Sequence, residues 1–159
     1  MIRNLTLRHV SLSDAPALRE KCWPDIALPD VQLRLHTLMG MPEGRERAWG
    51  YVALIEDQLV AFGQMTRWGT RGEICNLIVN EEWRDEGIGT TIIQRLIGVA
   101  RENALHDVEI GAAEANPRAL TLYRRLGFRD ARHVSVDLGS GMEPVVYLLL
   151  DLGTGICEA

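Results

Sequence analysis

A glycine-bearing turn, Arg84-Asp85-Glu86-Gly87-Ile88-Gly89, constrains the fold more than any other part of the chain. The short apolar run at residues 74–79 before it is typical of a buried strand. In the stretch after it, residues 88–104, apolar residues recur at helical spacing, and the broad apolar face predicts a helix packed on a sheet. The chain therefore contains a strand, a tight turn and a helix, as expected of a layered protein with both elements.

Such a turn is suited to binding an anion. The first N–H groups of a helix have no partner within the helix, and the positive end of the helix dipole adds to their attraction for phosphate. Gly87 and Gly89 tolerate backbone angles that other residues avoid, and they let a ligand approach the main chain. Many Gly-x-Gly turns bind nothing, however, and this one lacks both the Gly-Lys-Ser/Thr of a Walker loop and the third glycine of a dinucleotide turn, where Ile92 stands. A pyrophosphate site and an empty turn both fit the pattern.

Length and composition set the broad class. At 159 residues, with 47% hydrophobic and 25% charged residues, the chain is expected to form one globular domain over residues 1–159. The net charge of -5 and the absence of a basic run argue against a nucleic-acid surface. Three scattered cysteines are too few for a disulfide framework or a zinc site, so no metal is expected. No segment reaches a membrane-spanning length and the first residues carry no signal pattern, which makes the cytoplasm the expected location.

The remaining pattern predicts a mixed sheet with helices against it, α/β or, in some schemes, α+β. A proline-broken loop is predicted at residues 23–30, and a tight turn at residues 56–58 predicts an antiparallel hairpin. The predicted strands cover residues 2–10, 48–55, 59–68, 74–79, 108–113, 128–138 and 145–151, and the predicted helices cover residues 15–22, 31–39, 88–104 and 117–126.

A second motif follows the strand at residues 108–113. Asn116-Pro117 predicts a helix start, with Asn as the N-cap and Pro in the first turn, and Gly127 predicts its end. Asn116, Ala119 and Tyr123 share one face of this helix, and the small Ala119 leaves room there for a thin ligand. Taken alone, Tyr123 is more often an aromatic at the edge of a core than a proton donor.

Together the two motifs resemble the GNAT superfamily of N-acetyltransferases. The resemblance rests on Cys75-Asn76-Leu77-Ile78-Val79, on Arg84-x-x-Gly87-x-Gly89 and on Asn116-x-x-Ala119-x-x-x-Tyr123-x-x-x-Gly127-Phe128, in this order and spacing. It implies a mostly antiparallel sheet whose central parallel pair of strands splays apart to admit acetyl-CoA. It also implies direct transfer of an acetyl group to a primary amine, of a small molecule or a peptide, within a ternary complex. A non-catalytic acyl-CoA-binding or sensing module of the same fold is the alternative.

The resemblance also implies roles for particular residues. Tyr123 takes the position of the general acid, while Glu73 is either the base, acting directly or through water, or a solvated glutamate at the start of its strand. Asn116 would contact the pantetheine arm, and Arg118 would reach a phosphate. The backbone of the strand end and of the turn would hold the rest of the cofactor, through Leu77, Ile78, Val79, Arg84, Asp85, Glu86, Gly87, Ile88, Gly89 and Thr90.

Three points remain open in the sequence. Asp85 and Glu86 stand where relatives often carry glycine and a basic residue, and two carboxylates beside a pyrophosphate are electrostatically unfavourable unless they point to solvent. Residues 22–30 and 139–143 correspond to the acceptor pocket of the family and contribute Trp23, Asp25, Asp30 and Glu143, which suit a cationic amine, although Trp23 fits a core position equally well. The C-terminal strand and tail could form a homodimer edge or fray.

Overall fold

The computed structural model describes residues 4–40, 47–137, 139 and 141–153. Within these ranges the chain forms one seven-stranded sheet and four α-helices. In chain order the elements are β1 (Leu5–His9), α1 (Ala15–Lys21), α2 (Leu28–Met39), β2 (Ala48–Ile55), β3 (Gln58–Trp68), β4 (Arg71–Val79), α3 (Ile88–Glu102), β5 (Asp107–Ala113), α4 (Pro117–Arg125), β6 (Arg129–Asp137) and β7 (Met142–Asp151).

The sheet has the order β1-β2-β3-β4-β5-β7-β6, and the pair β4–β5 is its one parallel pair among the described strands. This pair runs only from Arg71↔Asp107 to Ile74↔Ile110, after which the two strands separate. β4 turns away at Asn76, whose φ is +53°, next to an irregular register with β3 between Phe62 and Gln64. An irregularity of this kind bends a strand. The expected mixed, mostly antiparallel sheet with a splayed central pair is confirmed.

Helices cover the two faces of the sheet unequally. α3 and α4 pack on one face, where Ile92, Leu96 and Leu120 join the main core. α1 and α2 pack on the other face, over β2 and β3, around Leu35 and Phe62. On that second face, none of the described helices packs over β5, β6 or β7. Within the described ranges, the sheet therefore has a surface without helices beside the gap between β4 and β5, and we call it the open face.

The ends of α4 follow from its sequence. Oδ1 of Asn116 accepts a hydrogen bond from the N–H of Ala119 at 3.2 Å, which confirms Asn116 as the N-cap. At the other end Gly127 has a φ of +104°, its N–H donates to the carbonyl of Arg124, and that of Phe128 donates to the carbonyl of Tyr123. This is the glycine-terminated helix end that the sequence predicts.

Several boundaries differ from the sequence prediction. α2 begins at Leu28, so the predicted loop at residues 23–30 is too long. Pro29 is tolerated in the first turn of this helix, because an N–H at that position would have no partner within the helix. β4 begins at Arg71, so Glu73 is its third residue and does not start the strand. α3 ends at Glu102 and β7 begins at Met142, so the prediction extended α3 by two residues and omitted the first three of β7. The predicted strand residues 2, 3 and 138, as well as Ser140 of the last turn and Cys157, lie outside the described residues.

None of the described helices is both long and apolar enough to cross a membrane.

Candidate active site

A cleft of about 960 Å³ opens where β4 leaves β5, between the start of α3 and the start of α4. Its volume lies within the range of small-molecule sites. The structure brings twelve of the predicted cofactor-binding residues together as its lining: Leu77, Ile78, Val79, Arg84, Asp85, Gly87, Ile88, Gly89, Thr90, Asn116, Arg118 and Ala119. Glu86 and Tyr123 are not among the lining residues. Trp83, Pro117, Thr121, Leu122 and Arg125 complete the lining and were not predicted as site residues, although Arg118, Leu122 and Arg125 share one helix face.

The glycine turn, residues 84–90, presents free backbone donors to this cleft. From Asp85 to Thr90 no N–H donates a hydrogen bond to any described residue, and the first recorded donor of α3 is Thr91, to the carbonyl of Gly87 at 3.1 Å. Asp85 and Gly87 both have left-handed backbone angles, with φ of +67° and +81°. Free N–H groups at the start of a helix form a ready site for an anion.

Empty space surrounds the two glycines of this turn. A Cβ built on Gly87 would meet no atom within 4 Å, and one built on Gly89 would come no closer than 3.8 Å to Cγ2 of Val79. Side chains at either position would therefore occupy space beside the free N–H groups. The turn fits a diphosphate because it has unpartnered donors, room for the group and the positive end of a helix.

The end of β4 forms the inner wall of the cleft. Beyond Ile74 this strand has no residue pair with β5, whereas Ile78 and Val79 still pair with β3. The side of the strand that faces the gap is therefore available to an extended ligand chain. Arg84 folds back over this strand end, where its Nε donates to the carbonyl oxygen of Val79 at 3.3 Å.

α4 forms the opposite wall. The side-chain oxygen of Asn116 is already used as the helix cap, so a ligand would meet its amide nitrogen. Ala119 lies one turn further along the helix, and its small side chain takes up little of the cleft. Arg118 reaches across the cleft and forms an ion pair with Asp85 of the glycine turn.

Tyr123 lies behind this wall, in the main core. It is 8% exposed, and its ring centroid is 6.3 Å from that of Phe128. Its hydroxyl has no hydrogen-bond partner among the described residues. Among those residues, the only side-chain polar atom that is both fully buried and unpartnered is Nε of Arg67, so the Tyr123 hydroxyl must be partly accessible. Burial raises the pKa of the phenol, so the hydroxyl keeps its proton across the neutral range.

Glu73 lies on the other side of the sheet from Tyr123. Its neighbours Gly72 and Ile74 face the core under α3, so Glu73 faces the open face by the alternation of a strand. It is half-buried, and its Oε1 accepts a hydrogen bond from Nε1 of Trp68 at 3.0 Å. It stands one residue before the last β4–β5 pair, close to the point where the gap begins.

A charged network that the sequence reasoning missed occupies the open face. Arg71 contacts Asp107 at 2.8 Å and Glu109 at 3.5 Å, and Arg132 of β6 contacts the other oxygen of Glu109 at 3.1 Å. Glu109 is 4% exposed, and its buried charge is compensated by the arginines that contact both of its oxygens. The alternation Asp107-Val108-Glu109-Ile110 was a signal that β5 has one polar face.

The other predicted acceptor residues are not gathered in one place. Trp23 is buried between α1 and α2, with its ring edge-on to Phe62 at 5.3 Å, so it fills the core. Asp25 and Asp30 are exposed, and Glu143 is half-buried on β7. Burial raises the pKa of both Cys22 and Cys75 to about 11, which leaves neither thiol reactive near neutral pH.

The sequence profile described as the acetyltransferase (GNAT) family matches residues 10–128, which include the glycine turn and α4. The chain belongs to the GNAT family. An N-alpha-acetyltransferase of Arabidopsis thaliana is 34% identical over 73 residues, which are 46% of this chain and 38% of that protein. A thialysine N-epsilon-acetyltransferase of Bos taurus is 31% identical over 72 residues, 45% of this chain and 42% of that protein. The matched segment thus spans about two fifths of these curated relatives.

Solved structures of the GNAT family share the fold over nearly the whole chain. The ribosomal-protein-S18-alanine N-acetyltransferase from Escherichia coli superposes with a TM-score of 0.79 at 17% identity, covering 98% of both chains. A spermidine N-acetyltransferase chimera from Vibrio cholerae and hSSAT also gives 0.79 at 17% identity, covering 92% of this chain and 94% of that one. These GNAT neighbours establish the fold of the sheet and its helices.

Proposed function

We propose that the protein is an N-acetyltransferase that moves the acetyl group of acetyl-CoA to a primary amine by direct transfer in a ternary complex. One observation carries the proposal: the N–H groups of residues 85–90 have no partner among the described residues, and the glycine turn lies in the wall of a cleft that continues to the gap between β4 and β5. The turn would hold the diphosphate, and the free edge of β4 from Leu77 to Val79 would pair with the pantetheine arm. Asn116 and Arg118 would contact the arm and a phosphate from α4.

The proposed acid and base lie on opposite faces of the sheet. Acetyl-CoA would supply an acetyl thioester, whose carbonyl carbon gains a bond to the amine nitrogen as its bond to sulfur breaks, while the second proton of that nitrogen passes to the solvent. Tyr123, on the cofactor side, holds a proton at its Oη and would give it to the departing thiolate. Glu73, on the open face, would accept a proton from the incoming ammonium, directly or through water. In the other interpretation Glu73 only holds Trp68.

The acceptor is an amine in the relatives whose names state one. They include an N-alpha-acetyltransferase, a thialysine N-epsilon-acetyltransferase and structural neighbours that act on spermidine or on a ribosomal-protein alanine. These names support a primary amine of a small molecule or a peptide as the acceptor class here. The carboxylate of Glu73 on the open face has no cationic partner among the described side chains, which is compatible with a cationic amine as acceptor.

Release of the coenzyme A thiol tests the proposal. The protein is incubated with acetyl-CoA and a panel of small amines, amino acids, aminoglycosides and peptides with free N-termini, and the thiol is measured spectrophotometrically. We expect turnover with at least one amine and a dissociation constant for coenzyme A that calorimetry can measure. Binding without turnover on any amine would favour the non-catalytic acyl-CoA module. A protein that fails to bind coenzyme A would contradict both functions.

A further inference from the structure

On the open face, the side chain of Tyr147 lies at the point where β4 separates from β5. Gly111 follows Ile110, the last residue of β5 that pairs with β4, and it pairs with Tyr147 of β7. A Cβ on Gly111 would lie 2.8 Å from Cε1 and 3.0 Å from Cδ1 of Tyr147. The ring therefore lies across β5 in the space that a side chain of Gly111 would fill. This places Tyr147 against the strand that borders the gap.

A chain of contacts holds this ring in place. The guanidinium carbon of Arg132 lies 4.3 Å from the ring centroid of Tyr147, within cation–π distance. Nη2 of the same arginine donates to Oε1 of the buried Glu109 at 3.1 Å. Because an unpaired buried carboxylate is costly, Glu109 restrains Arg132, and Arg132 restrains the ring.

The hydroxyl of Tyr147 is available to a ligand. It has no hydrogen-bond partner in the described ranges of the chain. Tyr147 is half-buried, and its oxygen is partly accessible to solvent. A cation over the ring withdraws electron density from the phenol and makes the hydroxyl a better hydrogen-bond donor. Its preferred partner is therefore an acceptor oxygen, such as a carbonyl.

The charges nearby limit what else the ligand can carry. Arg71 and Arg132 compensate Asp107 and Glu109, and these four groups together are neutral. Glu73 adds one negative charge with no cationic partner among the described side chains. This arrangement suits one ammonium group near Glu73. The guanidinium of Arg132 already covers a face of the Tyr147 ring, which leaves that face closed to a second ammonium.

We infer that Tyr147 is a positioning residue for the acceptor, and that it selects amines with a carbonyl oxygen beside the reacting nitrogen. This inference rests on the proposed function and narrows its acceptor class. An α-amino amide, as at the N-terminus of a peptide, satisfies both Glu73 and the Tyr147 hydroxyl. An alkyl diamine offers no carbonyl and brings a second positive charge.

Two acceptors distinguish the classes: the tripeptide amide of alanine, which has a carbonyl beside its amine, and 1,4-diaminobutane, which has none. We expect the wild type to have the higher kcat/KM for the peptide. In Tyr147→Phe the KM for the peptide should rise about tenfold, the loss of one hydrogen bond, while kcat and the dissociation constant of coenzyme A stay within about twofold. The kcat/KM for diaminobutane should not change. Tyr51→Phe removes a phenol hydroxyl on β2 and is the matched control.

Gly111→Ala tests the position of the ring independently, because its Cβ would displace the ring of Tyr147. It should reproduce the peptide-specific loss, and peptide binding to the coenzyme A complex, followed by NMR titration, should weaken about tenfold in both variants. Equal losses on both acceptors, no loss in Tyr147→Phe, or a wild type that prefers diaminobutane would overturn the inference while leaving the proposed function intact. A wild type inactive on every amine would overturn the proposed function, and this inference with it.

Discussion

Arg118 and Asp85 form an ion pair that links the first turn of α4 to the glycine turn across the cleft. Their side chains are 77% and 62% exposed, so the pair stabilises the protein by at most about 1 kcal/mol. Its importance lies in ligand binding. Asp85 holds the guanidinium that the proposed function assigns to a phosphate, and the two anions would compete for it.

Asp85→Asn should therefore tighten coenzyme A binding, by about two- to fivefold, because it frees Arg118 and removes a negative charge. The dissociation constant is measured by isothermal titration calorimetry. Glu86→Gln is the matched control, since it removes the same charge one residue away without a partner among the described side chains. An equal gain in both variants would show that Asp85 acts only through its charge and does not compete for Arg118.

Glu86→Lys should also tighten acetyl-CoA binding, modestly, because it replaces a negative charge beside the diphosphate with a positive one. The side chain is exposed, so the gain should shrink as the salt concentration rises. Calorimetry at low and at physiological ionic strength measures both effects. An unchanged or weaker dissociation constant would argue that charge at this position does not reach the ligand.

Tyr123→Phe should lower kcat at neutral pH by about a hundredfold and spare coenzyme A binding, since the variant keeps the ring and loses the proton donor. Burial raises the pKa of Tyr123, so the wild-type rate should lose its acid contribution only on the alkaline side of the ordinary tyrosine value. Steady-state rates across pH measure this limb, with Tyr51→Phe as the control. Full activity of Tyr123→Phe would exclude this phenol from the mechanism.

Glu73→Gln distinguishes the two roles of this glutamate. If Glu73 is the base, its loss should raise the apparent pKa of the acidic limb of the pH–rate profile, because deprotonation of the amine would then depend on the solvent. Glu82→Gln, on an exposed turn before α3, should leave the profile unchanged. A profile identical to the wild type would leave Glu73 only its hydrogen bond with Trp68.

Asp14→Asn should lower the free energy of unfolding at pH 7 by about 1–3 kcal/mol. Burial favours the neutral carboxyl, but hydrogen bonds from Arg8 and Ser11, at 2.8 Å each, outweigh it and hold the pKa of Asp14 below its usual value. This stabilisation is complete above the unfolded-state pKa of about 3.9 and disappears as the pH falls through the lower folded-state pKa.

Urea unfolding at pH 7 and at pH 3 measures this contribution, and the difference between wild type and Asp14→Asn should shrink at the lower pH. Asp25→Asn is the control, because Asp25 is exposed and has no partner among the described residues. A difference that stays constant with pH would mean that packing, and not charge, accounts for the loss.

Local patterns were sufficient to predict most of the fold. The apolar face of α3, the Asn-Pro start of α4 and its glycine end depend on neighbours in sequence, and all three were predicted. The start of α2 was placed too late, because Pro29 was interpreted as a helix breaker although a first turn tolerates it. The free N–H groups of the glycine turn were expected from the same local reasoning.

The open face could not be predicted in the same way. Glu109 contacts Arg71 and Arg132, which are 38 and 23 residues away, and the order of the strands decides which side chains meet. The ring of Tyr147 lies against β5 because Gly111, opposite it on that strand, has no side chain. The pairing of residues across a sheet does not show in the spacing of residue types along the chain, so the acceptor side could not be predicted from the sequence.

The short parallel pair has a mechanical consequence. Strands β1 to β4 and strands β5 to β7 are two antiparallel ribbons, and within the sheet only the pairs from Arg71↔Asp107 to Ile74↔Ile110 join them. A pantetheine arm bound along β4 would add a further connection between the two ribbons. Slower amide exchange of residues 75–79 on coenzyme A binding would reveal a sheet that is completed by its own substrate.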